Sequence, residues 1–338
     1  MDASQAAAQP QVFLSPHLDD AALSAGGTIH RLAVRGVPVT VLTVCAAAPP
    51  EAALSTYAQA LHTRWGQPTE TARTTAAAMV ARRRAEDRAA CRRLGATVVH
   101  LRWPDLIYRR EADGRWAAER DADLFAGAAG VDRAAAAALA MRLRRRLEQC
   151  PRSPSRSSVE SAGPLRLWVP LGIGDHVDHH LCRLAAEALV SIHPRLVTLR
   201  YYEDYPYAGD NRARAKALSD APVAGCWQAL EFPIDAGDLA ARLDAIACFR
   251  SQISSFWSDE QAMRAAVARF AKTGEGKAGW SERFWEVATA AADSNGRARR
   301  AARPALTAST TQGRTAPDMD RGMVRTPAGT GPTGSRRR

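Results

Sequence analysis

Two short stretches concentrate the residues of this 338-residue chain that could do chemistry. Ser15-Pro16-His17-Leu18-Asp19-Asp20 joins one imidazole to two adjacent carboxylates. Gly172-Ile173-Gly174-Asp175-His176-Val177-Asp178-His179-His180 packs imidazoles and carboxylates side by side. Two imidazoles and a carboxylate, with one position left open, make a hydrolytic zinc site. The open position lets a water lose a proton near neutral pH. His176 and His179 are spaced i, i+3 at a helix start, so one can ligate while the other faces a substrate. The plainer reading is a hydrogen-bonded core histidine in one stretch and solvated or capping carboxylates in the other. It would have to hold at both places at once.

The elements around these stretches explain why they should meet. Val12-Phe13-Leu14 reads as a buried strand and Asp20 to Arg35 as a helix stopped by Gly36. Val37 to Cys45 and Thr97 to Leu101 read as further strands, with a basic amphipathic helix over Met79 to Leu94. Residues 46–78 read as loop with some helix. An Ala-rich helix over Val131 to Gln149, a Ser/Pro-rich exposed loop over 151–163 and a strand over Leu165 to Val169 follow. Then come a helix from His176 to Ser191 and a strand from Leu196 to Tyr202. A late strand is expected over Cys226 to Phe232 and a helix over about Ala236 to Phe256. Alternating strands and helices predict an α/β fold: a Rossmann-like, mostly parallel sheet with helices on both faces. Ligands of such sheets lie beyond the carboxyl ends of the strands. Leu14 and Val169 are two such ends, and each is followed by one cluster.

These residues resemble the LmbE/PIG-L family of zinc-dependent N-deacetylases. The family's Pro-His-Pro-Asp-Asp-Glu stands here as Pro16-His17-Leu18-Asp19-Asp20-Ala21, and its His-x-Asp-His as His176-Val177-Asp178-His179. Arg83-Arg84-Ala85-Glu86 and Ser251-Gln252 look like two weaker family stretches, and the resemblance runs from about Val12 to Glu286. It implies His17, Asp20 and His179 as ligands of zinc, with ferrous iron the alternative. It implies Asp19 as the base that takes a proton from the zinc-bound water. His176, as imidazolium, would stabilise the oxyanion or protonate the leaving amine, and Asp178 would orient it and keep it charged. The implied reaction removes an N-acetyl or other N-acyl group from an amino sugar or glycoconjugate. The alternatives are a non-sugar or thiol-conjugate amide or, in another class, polyanion binding. Leu18 and Ala21 depart from the pattern beside the site and bear on the substrate. Some sugar-deacetylating members carry a Tyr where Gly174 stands, so a hydroxyl is either absent or comes from the tyrosines of 201–207.

Arg83 and Asp105 either bind substrate hydroxyls or form a structural ion pair. Asp175 is expected to cap its helix and His180 to be structural. His30, His62, His100 and His193 are taken as structural, and Gly26-Gly27 as a close helix–strand contact rather than a phosphate loop. The six cysteines (45, 91, 150, 182, 226, 248) form no CxxC pair and are expected to be reduced and mostly buried.

The net charge of +11 invites a nucleic-acid reading, but ten arginines and two aspartates in residues 294–338 account for +8 of it. That tail lacks aromatics for base stacking, so nucleic acid is not the expected partner. The chain divides into an expected disordered start (1–11), a catalytic domain (12–293) and a disordered Arg-rich tail (294–338). With no signal peptide and no apolar span, a cytoplasmic protein off the membrane is expected. The oligomeric state stays open.

Overall fold

The computed structural model describes residues 9–49, 54–66, 76–150, 164–219, 226–272 and 279–288. The expected loop at 151–163, the tail at 294–338 and residues 1–8 of the expected disordered start lie outside them. Gln11, the last residue of that start, already belongs to the first strand.

Seven strands form one sheet in the order β3-β2-β1-β4-β5-β7-β6. β1 (Gln11–Ser15), β2 (Val39–Thr43), β3 (Thr97–His100), β4 (Leu165–Pro170) and β5 (Val197–Tyr202) run parallel. β7 (Trp280–Ala288) pairs antiparallel with β5, and β6 (Cys226–Ile234) antiparallel with β7. The alternation of side chains along each strand feeds two cores. Val12 and Leu14 of β1 and Leu165, Leu167 and Val169 of β4 face α5 (Arg133–Glu148) and α6 (Val177–Ile192). Phe13 and Trp168, their rings stacked with centroids 5.0 Å apart, face the other way. They meet α1 (Asp20–Val34), the end of α3 (Ala76–Arg93) and α8 (Ala236–Ile246). Helices therefore cover both faces, as the alternation predicts.

The parallel strands reverse their winding between β1 and β4, and ligands of such sheets bind at that crevice. The loops leaving β1 and β4 are the two chemical clusters. α2 (Thr56–Arg64) and α4 (Asp121–Leu124) border the same end. The helix expected over 236–256 is broken. α8 ends at Ile246 and the short α9 (Ile253–Phe256) restarts after Ser251-Gln252. The interruption has a cause: Glu86 of α3 accepts from Ser251 N at 3.1 Å and from its hydroxyl at 2.5 Å. The two weaker family-like stretches thus meet each other. α10 (Glu260–Ala271) and β7 go beyond the expected elements.

Candidate metal centre

Ser15 ends β1 and shapes the first cluster. Its hydroxyl donates to His17 O at 2.6 Å and accepts from Ala21 N at 3.1 Å, turning the chain sharply into α1. The turn brings Asp20 Oδ2 to 2.7 Å from His17 N and 3.2 Å from His17 Nδ1. His179, on the first turn of α6, places Nε2 3.3 Å from the same oxygen. Ligands of a tetrahedral zinc with Zn–N bonds near 2.05 Å are separated by about 3.3 Å. The separations of Asp20 from His17 and from His179 match that spacing.

Each imidazole has a carboxylate on its other nitrogen. Asp204, just past β5, lies 2.6 Å from His179 Nδ1, and its second oxygen accepts from Gly172 N and Ile173 N. Asp178 Oδ2 lies 3.3 Å from His17 Nε2. Such partners fix the tautomer and aim the free nitrogen at the ion. Burial opposes charge on both rings, but Asp105, Asp178 and Asp20 hold the pKa of His17 well above the usual value. Asp20 and Asp204 carry that of His179 to about 9. Burial pushes the Asp20 carboxyl up, yet the facing imidazoles outweigh it and hold it well below the usual carboxylate range.

Two donor groupings among the described residues bring three ligand atoms together, and both contain His17. The ligand atoms of His17, His176 and His179 lie within 4.8 Å of one another, as do those of His17, Cys45 and Asp178. In the second, burial and Asp178 push the Cys45 thiol up, and Asp178 is already paired with Arg109, so the thiolate a metal needs is disfavoured. In the first, His176 Nδ1 is occupied. It accepts from Asp178 N at 3.1 Å and so caps α6.

That contact corrects two expected roles. His176 is neutral: burial, then the neighbouring imidazoles of His17 and His179, hold its pKa well below the usual value. With Nδ1 accepting, the proton resides on Nε2, so the ring offers a neutral N–H donor rather than an imidazolium. The Asp178 carboxylate favours charge on His176 through space, but its hydrogen bonds go elsewhere. It is fully buried on Arg109 Nη2, Leu106 N (3.0 Å) and His17 Nε2, which makes it the orienting partner of His17. Asp175 is corrected too. It has φ +64°, pairs with Lys216 and lies 3.5 Å from His180, leaving the cap to His176.

Asp19 points away from the ligand oxygen toward Arg83, whose Nη2 is 3.7 Å from Asp19 Oδ1. Burial, helped by Asp20 and opposed by Arg83, raises the Asp19 carboxyl to about 6. Arg83 is buried, with its guanidinium 4.6 Å above the Trp65 ring, and its Nε makes no hydrogen bond. Asp105 faces His17 Nε2 at 3.8 Å and caps the turn at Leu106–Tyr108. The two candidates for substrate binding thus engage Asp19 and His17, rather than each other. Phe125 stands edge-on to His176, its centroid at 5.4 Å, and to Tyr207 at 5.8 Å.

Tyr207 is the tyrosine of the 201–207 stretch that reaches the centre, its ring 6.2 Å from His179. Burial, Asp20 and Asp19 all push its hydroxyl up, so it stays protonated. Gly174 makes its place: a Cβ there would lie 2.5 Å from Tyr207 Cγ. Asp204, Arg109 and Tyr207 are the site residues that sequence motifs do not assign. Asp204 carries a signal as a carboxylate just past the carboxyl end of a strand, and Tyr207 as one of the tyrosines of 201–207; Arg109 carries none. Of the remaining histidines, His62 meets Tyr108, His100 meets Asp87 and His30 meets Asp238. Cys45, Cys91 and Cys182 are buried, with no disulfide among them, and Cys226 is exposed.

Comparison with known proteins bears on the family and the fold. A family model described as GlcNAc-PI de-N-acetylase, PIG-L, matches residues 12–190. The 2'-N-acetylparomamine deacetylase of Niallia circulans is 31% identical over 214 residues, covering 58% of this chain and 66% of that protein. The chain thus spans just under two thirds of that curated relative. A deacetylase of the teicoplanin biosynthesis pathway superposes with a TM-score of 0.65 at 25% identity, covering 82% of this chain and 96% of its own. The zinc-inhibited form of teicoplanin deacetylase Orf2 superposes at 0.64 and 25% identity, with 82% and 97% covered. With both motifs at the switch point of the sheet and the family model over more than half of its length, this chain belongs to the PIG-L family of de-N-acetylases.

Proposed function

We propose that the protein is a zinc-dependent N-deacetylase acting on an N-acetylated amino sugar or glycoconjugate. One observation carries the reading. Asp20 Oδ2 stands 3.2 Å from His17 Nδ1 and 3.3 Å from His179 Nε2, with a second, higher-pKa carboxylate next to it on Asp19. The relatives that remove acetyl groups from paromamine and act in teicoplanin biosynthesis support the sugar class.

His17, Asp20 and His179 would hold the ion, which when bound supplies Lewis acidity to the attacking water and the amide carbonyl. Asp19 accepts the proton of that water, and a carboxyl near 6 is poised for the exchange at neutral pH. Arg83 steadies the Asp19 carboxylate and its unpaired Nε remains for a substrate oxygen. His176 donates Nε2–H to the developing oxyanion, the role a neutral imidazole at a helix N-terminus can fill. Tyr207 offers a second protonated donor. Asp105 accepts from substrate hydroxyls, and the ring of Phe125 packs on the apolar face of the sugar.

Asp19→Asn tests the assignment. The variant should keep its metal by elemental analysis while acetate release falls by about 10²–10⁴-fold. Wild-type protein that takes up no divalent ion, or a fully active variant, would sink the reading. A panel of N-acyl sugars, thiol conjugates and simple amides assigns the substrate.

A further inference from the structure

Helix α1, which begins with Asp20, is not continuous. Ala25 has φ −138° and ψ 16°, so one turn (Asp20 to Ser24) is set at an angle to the longer part that packs on the sheet. A break of this kind leaves a carbonyl on one side and two N–H groups on the other without helical partners. Both sides are satisfied from far along the chain. Glu282 of β7 accepts from Gly27 N at 2.9 Å and Thr28 N at 2.7 Å, capping the second part of the helix. Arg242 of α8 donates to Leu23 O, the last carbonyl of the first turn. Arg242 Nη1 and Glu282 Oε1 pair at 3.0 Å, both fully buried.

The two glycines are what let this pair approach. A Cβ at Gly26 would lie 2.8 Å from Arg242 Cγ, and one at Gly27 3.0 Å from Glu282 Oε1 and 2.7 Å from Ile234 Cδ1. The bonds then run on to the metal centre. Leu23 N donates to Asp19 O at 2.9 Å, so the residue whose carbonyl Arg242 holds also closes, through its own N–H, the turn carrying Asp19 and Asp20.

We infer that Arg242 and Glu282 are positioning residues for the metal centre: the pair fixes the break in α1 and so aims the Asp19–Asp20 turn. This rests on the reading of His17, Asp20 and His179 as ligands. A buried ion pair adds little to stability over apolar residues of similar volume, so its value here lies in orientation.

The full-length chain decides it with two variants, Glu282→Gln and the apolar pair Arg242→Met/Glu282→Leu. The apolar pair removes both buried charges but leaves Leu23 O, Gly27 N and Thr28 N without partners, so it should melt below the wild-type temperature. Its residues cannot donate to Leu23 O or accept from Gly27 and Thr28. Its affinity for added Zn²⁺ should therefore fall by about 10–100-fold. In the metal-free protein, the amide of Leu23 should exchange with deuterium about tenfold faster, while amides beyond Ile29 stay unchanged. Glu282→Gln keeps one acceptor and should show a smaller loss of Zn²⁺ affinity. Wild-type exchange at Leu23 in the apolar pair would overturn the inference, as would unchanged Zn²⁺ affinity in both variants. Failure of the wild-type chain to bind Zn²⁺ would overturn the ligand reading instead, and the exchange measurement would still judge the pair.

Discussion

Burial opposes a charge on His179, yet Asp20 and Asp204 outweigh it, and the metal-free ring is protonated up to about pH 9. The unfolded chain holds that proton only to about 6.5. The stabilisation is therefore complete below pH 6.5 and is lost as pH rises through 9. The melting temperature of the metal-free protein should fall across that window, and a flat profile would contradict it. A metal displaces the same proton, so the apparent affinity for Zn²⁺ should tighten over the same pH range. Calorimetry in two buffers of different ionisation heat should register at least one proton released at pH 7. Asp19 behaves in the opposite sense to an ordinary carboxylate. Its raised pKa makes it a strained anion above about pH 6, which suits a group kept for accepting a proton.

At the scale of elements, the loop between β4 and α6 is shaped around Tyr207. Gly174 has φ +90°, a region costly for other residues, and its missing Cβ leaves the space that the ring fills. Gly174→Ala should cost about 2–4 kcal/mol from backbone strain and overlap together. It should also lower kcat/KM by displacing the ring. Adding Tyr207→Ala should recover part of the stability and none of the activity; full additivity of the two losses would show that the residues act independently. The same loop shows what a sequence discloses. His17, Asp19, Asp20, His176 and His179 are legible because they are contiguous runs at strand ends, where a parallel sheet must put its chemistry. Which nitrogen each carboxylate serves is not legible. Asp178 adjoins His176 in motif but meets His17 and Arg109 in space, because the helix start turns its side chain back under β1. Tyr207 and Asp204 come from the far end of β5; the sequence offers the tyrosines of 201–207 as a group, but not that Asp204 would meet His179 and the backbone of Gly172 and Ile173. The break at Ser251 was hidden for the same reason, since Glu86 lies 165 residues away.

At the scale of the whole molecule, most of the formal charge belongs to residues 294–338 and only +3 to the rest. Removing 294–338 should leave kcat unchanged in an acetate-release assay; a fall beyond about threefold would move the boundary of the catalytic unit. No helix among the described residues is long and apolar enough to cross a membrane. The switch point of the sheet has a mechanical meaning as well as a chemical one. His17 and Asp20 leave β1, whereas His179 leaves β4, roughly 160 residues later, so an ion held by all three is a reversible cross-link between the two windings of the sheet. Loading and folding are then one equilibrium. A free ion at a thousand times its Kd adds about 4 kcal/mol to the folded state, a large share of what a domain possesses. The protein's lifetime in a cell would follow the supply of its metal as closely as its turnover does.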